Sequence, residues 1–324
     1  MATSIQAIAA AAATALDQIA DMIVRTELRR STYFSDKLDA EVYFKLENQQ
    51  TTGSFKLRGA SNKLLQLSEA ERRRGCVAAS SGNHGAAVAC AMQKMNVRGV
   101  IFVPEQTSSA KVAKIRSYGG DVKFFGSDGL DTEQHARQYA ADNDMQYLSP
   151  YNDASVVAGQ GTCGVEILQD LPDVDAVFVA VGGGGLIAGT GSVLKSSRPA
   201  TQIFGCQPLA SAVMARSVEA GEILDMPSDA TISDGTAGGI EAGAITFPLV
   251  QAVVDEFVIV DEEQITAAMR LYMDAEGQVI EGAAGVAVAA MLAKKDVLRG
   301  CKVAVIVCGG NISDEVLAEV KGVA

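Results

Sequence analysis

The six cysteines, Cys76, Cys90, Cys163, Cys206, Cys301 and Cys308, include no Cys-x-x-Cys pair, and there are only two histidines, His84 and His135. That excludes a structural zinc site of ordinary ligand spacing. Scattered thiols in a chain of 324 residues read as reduced core cysteines and point to the cytoplasm. Basic residues are outnumbered. The net charge is −12, which argues against a nucleic-acid or anionic-membrane partner. No apolar run approaches the ~20 residues of a membrane span. The Ala-rich opening "IQAIAAAAATALDQIADMIV" lacks the basic region of a signal peptide. Asp17 and Asp21 recur there at helical spacing, so it reads as an amphipathic helix. Tryptophan is absent and aromatics make up 5% of the chain, but glycines number 32. Such a load suggests tight turns and backbone that approaches ligands closely.

What is present is a rhythm. Apolar runs read as strands: "AEVYFKLE", "GCVAAS", "VRGVIFVP", "DVKFFG", "DAVFVAV", "QIFGCQP", "FVIVDE" and "KVAVIVCG". Between them lie helical patterns such as "FKLRGASNKLLQLSEAERR", "NHGAAVACAMQKM", "SAKVAKIRSYG" and "EEQITAAMRLYMDAE", the last opened by Asp261. The alternation predicts an α/β fold with parallel sheets covered by helices on both faces. No low-complexity linker or repeat divides the chain.

Three glycine-rich turns follow predicted strands: "SSGNHGAA" (80–87), "VGGGGLIAG" (181–189) and "VCGGNIS" (307–313). Open α/β sheets bind ligands at these carboxyl ends. The tetraglycine Gly182, Gly183, Gly184 and Gly185 exposes successive backbone N–H groups at a helix start, which suits a phosphate. A tight, closely packed strand-to-helix turn would use the same residues. Gly183, Gly185 and Ala188 also satisfy G-x-G-x-x-A, but "TQIFGCQP" ends the next strand without the acid that a dinucleotide ribose needs. The loop therefore suits a single phosphate better than NAD. No GxxxxGK[ST] loop is present for ATP. His84 has no partner histidine for a metal. Ser81 lacks the G-x-S-x-G setting of a hydrolase nucleophile.

Lys56, in "TGSFKLRGA", stands at a turn running into a helix, with Ser54 placed to cap it. A lysine plus a separate phosphate cradle is what pyridoxal phosphate requires, since a primary amine forms a Schiff base with its aldehyde. Burial should lower the lysine's pKa and free the amine near neutrality.

"GSFKLRGA", "SSGNHGAAVA", "GQGT", "GGGGLIAG" and "CGGNIS", in this order, resemble the serine/threonine dehydratase and serine racemase family of fold-type II pyridoxal-phosphate enzymes. The likeness spans roughly Thr26 to Ser313. It implies two open, mostly parallel sheets flanked by helices, with the cofactor in the cleft between domains. The large domain would comprise 1–53 and 148–324, and the small, mobile one 54–147. Lys56 resembles the Schiff-base lysine, with Phe55 packing beside the cofactor. Asn83 resembles the residue that bonds the ring hydroxyl. The backbone of Ser80, Ser81, Gly82, Asn83 and His84 would hold the substrate carboxylate. Ser81 resembles the second acid/base of the racemases. Gly182–Gly185 would grip the phosphate. Glu281, Asn152 and Gly235 match positions around cofactor and substrate. Cys308 takes the place of a serine at the pyridine nitrogen, where a group that does not protonate the ring favours prompt loss of a β-hydroxyl.

There is one departure. Relatives bind a divalent cation at "GxEP", with an aspartate a few residues on. Here "GCQPLASAV" places Gln207, Ser211 and Val213, so no tight Mg or Ca site is expected. With the chain ending soon after Ser313, the C-terminal effector domain of biosynthetic threonine dehydratases is not expected.

The implied reaction is β-elimination. Lys56 removes the α-proton, the hydroxyl leaves, and a 2-oxo acid and ammonia result. L-Threonine or L-serine is the first expectation. Threo-3-hydroxyaspartate, with Arg58 or Arg116 meeting a second carboxylate, and racemisation through Ser81 are the alternatives. The resemblance also implies a homodimer. An NAD-dependent oxidoreductase and a non-catalytic ligand-binding protein of this fold remain as other classes.

Overall fold

A computed structural model describes residues 3–322. In chain order the strands are β1 (Leu28–Arg30), β2 (Glu41–Lys45), β3 (Cys76–Ala79), β4 (Gly99–Val103), β5 (Asp121–Phe124), β6 (Gln146–Tyr147), β7 (Ala176–Ala180), β8 (Gln202–Pro208), β9 (Glu256–Val260) and β10 (Lys302–Ile306). The helices are α1 (Ile5–Gln18), α2 (Thr32–Leu38), α3 (Lys56–Gln66), α4 (Glu69–Arg74), α5 (Asn83–Met95), α6 (Ser109–Ser117), α7 (Gly129–Asp142), α8 (Ala154–Asp170), α9 (Gly185–Ser197), α10 (Val213–Ala220), α11 (Thr246–Val253), α12 (Glu262–Glu276), α13 (Gly282–Ala293) and α14 (Asp314–Lys321).

The strands make two sheets. One has the order β1-β2-β10-β7-β8-β9 and is parallel except for β1. The other, β5-β4-β3-β6, is parallel throughout. The central strand β7, AVFVA, is buried at every residue, as helices on both faces require. Helices α1, α8 and α9 pack together, and α13 lies on β7–β10 with α12 outside it. The second sheet has its own apolar clusters, under α5 and under α7. Helix α3 bridges the two bodies, packing on both α8 and α5.

All eight expected strands form, and α5 and α12 start and end where their patterns do. Asp261 caps α12 reciprocally with Gln264. The short strands β1 and β6 carry no pattern and were not expected. The stretch 55–73 is broken, because Ser68 and Glu71 form a capping box that starts α4. Helix α1 stops at Gln18 instead of running on through Asp21. Ser54 does not cap α3. Phe55 holds the cap position without a side-chain bond, and the Ser54 hydroxyl is buried without a partner. Its backbone instead bridges Gly309, which fastens the turn before Lys56 to the end of β10.

Candidate active site

A cleft of about 740 Å³ opens between the two sheets at the carboxyl ends of their strands. Phe55, Lys56, Ser80, Ser81, Gly82, Asn83, His84, Gly182, Gly183, Gly184, Gly185, Gly235, Glu281 and Cys308 all line it. Asn152 is elsewhere. Its amide donates to Glu241 (2.9 Å) and its oxygen accepts from the Ile245 N–H (2.9 Å). It shapes the loop behind the cleft wall that Tyr151 supplies.

Lys56 is the first residue of α3. The preceding N–H of Phe55 donates to the Cys308 carbonyl at 3.0 Å, so the helix start is hung from the end of β10. The side chain opens to the cleft on one side, and its ammonium donates to the Pro150 carbonyl at 3.0 Å. Burial pulls the ammonium down to about 8, with Cys308 and Glu281 opposing. Burial also raises the Cys308 thiol above its usual range and keeps it neutral.

The tetraglycine turn joins β7 to α9. Gly184 has φ +86° and serves as the N-cap, a conformation that favours glycine. A Cβ on Gly183 would run into the Tyr151 ring. The turn is pinned by Thr246, whose hydroxyl donates to the Gly183 carbonyl at 2.7 Å. The first N–H groups of α9 have no acceptor within the helix, so the turn is an open anion cradle.

Helix α5 supplies a second such N-terminus, with Gly82 as N-cap and no side chain closing it. His84, in its first turn, is buried and turned away from chemistry. Its ring N–H bonds the Leu148 carbonyl at 2.8 Å, and burial, with Lys56 nearby, pulls the imidazole down to about 3. Asn83 donates to both oxygens of Glu281 (2.9 and 3.0 Å). The Asn311 N–H donates to the same carboxylate at 3.0 Å. Burial pushes that carboxyl up to about 7, against these bonds.

Against known proteins, the family model described as "Pyridoxal-phosphate dependent enzyme" matches residues 19–309. The chain belongs to the pyridoxal-phosphate dependent enzymes. An L-threonine ammonia-lyase of Thermotoga maritima is 41% identical over 90% of this chain and 72% of its own. The processed form of threonine deaminase isoform 2 from Solanum lycopersicum superposes with a TM-score of 0.94 at 32% identity, covering 100% of this chain and 95% of that one. Maize serine racemase does so with a TM-score of 0.90 at 29% identity, covering 97% and 96%.

The residues fit pyridoxal phosphate. A lysine with a lowered pKa faces a cleft of suitable size, and a glycine turn so closely packed that a Cβ on Gly183 would strike the Tyr151 ring offers the anion site. This pyridoxal-phosphate enzyme also departs from the expectations. Arg58 is fully buried and bonds Glu47 and Glu166, so it cannot meet a substrate. Arg116 is exposed and does not line the cleft. Lys111, Lys114, Tyr151 and Asn311 do line it. They were missed because a helical lysine or a loop asparagine has no local signature. Only "SAKVAKIRS", with both lysines three apart on one face, could have hinted at them.

Proposed function

We propose that this enzyme dehydrates and deaminates a β-hydroxy α-amino acid of the threonine or serine type, giving a 2-oxo acid and ammonia. The carrying observation is Lys56, whose ammonium falls to about 8 within reach of the cleft. At neutral pH a usable fraction is free amine, able to take the α-proton. Bound pyridoxal phosphate supplies an electron sink for the charge left at Cα. The remaining work falls to the protein. The backbone of Ser80–His84 receives the α-carboxylate at the α5 N-terminus. Gly182–Gly185 hold the phosphate. Asn83, Phe55 and the neutral Cys308 thiol, which line the same cleft, would hold the cofactor ring. Loss of the α-proton to Lys56 and of the β-hydroxyl as water, followed by addition of water, releases ammonia. The names of the relatives and neighbours support this class of reaction.

Residues 54–147 act as a small domain that closes on the large one, 1–53 and 148–324. Supporting this are the separate apolar clusters and the ion pairs that cross between them, Lys111–Asp234 (3.3 Å) and Arg137–Glu241 (2.7 Å). The enzyme acts as a cytoplasmic homodimer. The free cysteines agree with a reducing compartment, no described helix is long and apolar enough to cross a membrane, and sedimentation tests the dimer. Racemisation is the second reading, supported by Ser81 on the cleft wall. The test is an absorption spectrum of purified protein before and after borohydride, with 2-oxo acid release assayed over a panel of hydroxy amino acids. Absence of a borohydride-sensitive cofactor band would overturn the proposal.

A further inference from the structure

Asn152 does not line the cleft, yet it stands in a run of contacts that ends on the phosphate turn. Its amide donates to Glu241 Oε2 at 2.9 Å, and its oxygen accepts from the Ile245 N–H at 2.9 Å. The next residue, Thr246, donates its hydroxyl to the Gly183 carbonyl at 2.7 Å. A second run starts from the same glutamate. The Glu241 N–H donates to the Tyr151 hydroxyl at 2.9 Å, and the Tyr151 ring occupies the space that a Cβ on Gly183 would need. Both runs lead from Glu241 to Gly183. Neither enters the elimination.

Arg137 holds the far end. It stands on α7, which packs on the second sheet, and its guanidinium lies 2.7 Å from Glu241 Oε1. That oxygen is buried and accepts no hydrogen bond among the described residues, so the Arg137 charge is what compensates it. Arg137 is itself fixed in place. Glu133, one turn earlier on α7, accepts from it at 2.7 and 3.0 Å. The guanidinium also lies over the Tyr147 ring, 4.3 Å from its centre. An ion pair this open to solvent contributes little to global stability. Its position matters more, because it ties a helix of one sheet to the loop that braces the anion site of the other.

We propose that Arg137 is a positioning residue for the cofactor phosphate: through Glu241 it holds Tyr151 and Thr246 against Gly183, and so keeps the phosphate turn in shape while α7 is docked. This rests on the assignment of the phosphate to Gly182–Gly185 above and adds a residue of the other sheet that governs that site. Asn152 gains a role as one link in the brace.

The test titrates apoprotein with pyridoxal phosphate and with pyridoxal, which lacks the phosphate. Both aldehydes can form a Schiff base with Lys56, so only the difference between them reports the turn. Wild type should bind pyridoxal phosphate at least about a hundredfold more tightly. Arg137→Met should lower the pyridoxal phosphate affinity by about five- to twentyfold and change the pyridoxal affinity by less than about twofold. Glu241→Gln removes the same ion pair from its other side and should show the same selective loss. Adding Arg137→Met to it should cost less than about twofold more, since the two residues act as one unit.

Denaturant unfolding identifies the variants that fold, and either single variant is sufficient if the other does not. An equal loss for both ligands, or full selectivity in a folded variant, overturns the proposal. A wild type that binds the two ligands alike overturns the phosphate assignment itself, and this proposal with it. A selective wild type with equally selective variants overturns the role of Arg137 alone.

Discussion

Lys56 and Arg58 lie two residues apart on one helix, yet they meet opposite fates. Arg58 is sealed from solvent among charges that cancel. Its guanidinium bonds Glu47 at 2.8 Å twice and Glu166 at 2.7 and 2.8 Å, and Lys45 completes the set on Glu166 at 2.5 Å. All four side chains have no exposure, and the Arg58 pKa stays well above its usual value. Lys56 lies at the cleft, where among the described residues its ammonium has only the Pro150 carbonyl as hydrogen-bond partner, and its pKa falls to about 8. Burial alone therefore does not make a residue reactive. Whether counter-charges compensate the burial decides it. The paired cluster holds α3 to β2 and α8, and the unpaired amine is the one proposed to do the chemistry.

The largest effect expected is on Lys56→Ala, which should lower turnover by on the order of 10³-fold or more and abolish the borohydride-sensitive band without unfolding the protein. Retained turnover would break the contrast at its first member. Arg58→Met should do the reverse. It strands the buried Glu47 carboxylate, leaves Glu166 with Lys45 alone, and should cost about 3–5 kcal/mol of stability, read by denaturant unfolding. A cost below about 1 kcal/mol would show that the cluster is not compensated in the way described.

Gly183→Ala sharpens the cofactor side. Its methyl meets the Tyr151 ring, and relieving such overpacking costs about 1–3 kcal/mol. Pyridoxal phosphate affinity should fall by roughly tenfold or more, measured by titrating apoprotein. The pH dependence is subtler. A depressed lysine pKa means the free amine appears at lower pH. With Lys56 near 8, cofactor capture by apoprotein should rise about tenfold from pH 7 to 9 and then level off. An unshifted lysine would give about a hundredfold rise with no levelling.

The smallest effect concerns Gln207, a compensated group like Arg58. Its amide donates to the Val181 carbonyl at 3.0 Å and the Ser211 carbonyl at 3.4 Å, and its oxygen accepts from the Ala215 N–H at 2.7 Å. With that position taken by a neutral amide, chelators should change activity by less than about twofold, since hard cations need carboxylates. Activity lost to chelator and restored by Mg would overturn this.

Much of the fold was legible. The inner strands β3, β4, β7, β8 and β10 showed as nearly continuous apolar runs because parallel strands buried on both faces need them, whereas the edge strands β5 and β9 are partly exposed. Strand β1, three residues long, and β6, two residues long, are too short to carry a period. The break before α4 was written in Ser68 and Glu71, but it hid inside a longer helical pattern. At the site, glycine turns and Lys56 were readable, because strand ends and glycine are local signals. Ser54 as a cap was a plausible local reading, defeated by the backbone bridge to Gly309. Asn152 went instead to Glu241 and Ile245, which lie about ninety residues on.

By itself, then, the amino-acid order determined the alternation of strand and helix, the three turns at strand ends, and the lysine at the start of α3. Those follow from patterns within a few residues. Only the tertiary structure decided which charges are neutralised. Arg58 finds carboxylates 11 and 108 residues away, whereas Lys114 reaches the cleft and finds only an amide. Desolvation and Coulomb energies depend on distances in space, and those distances exist only once the chain has folded.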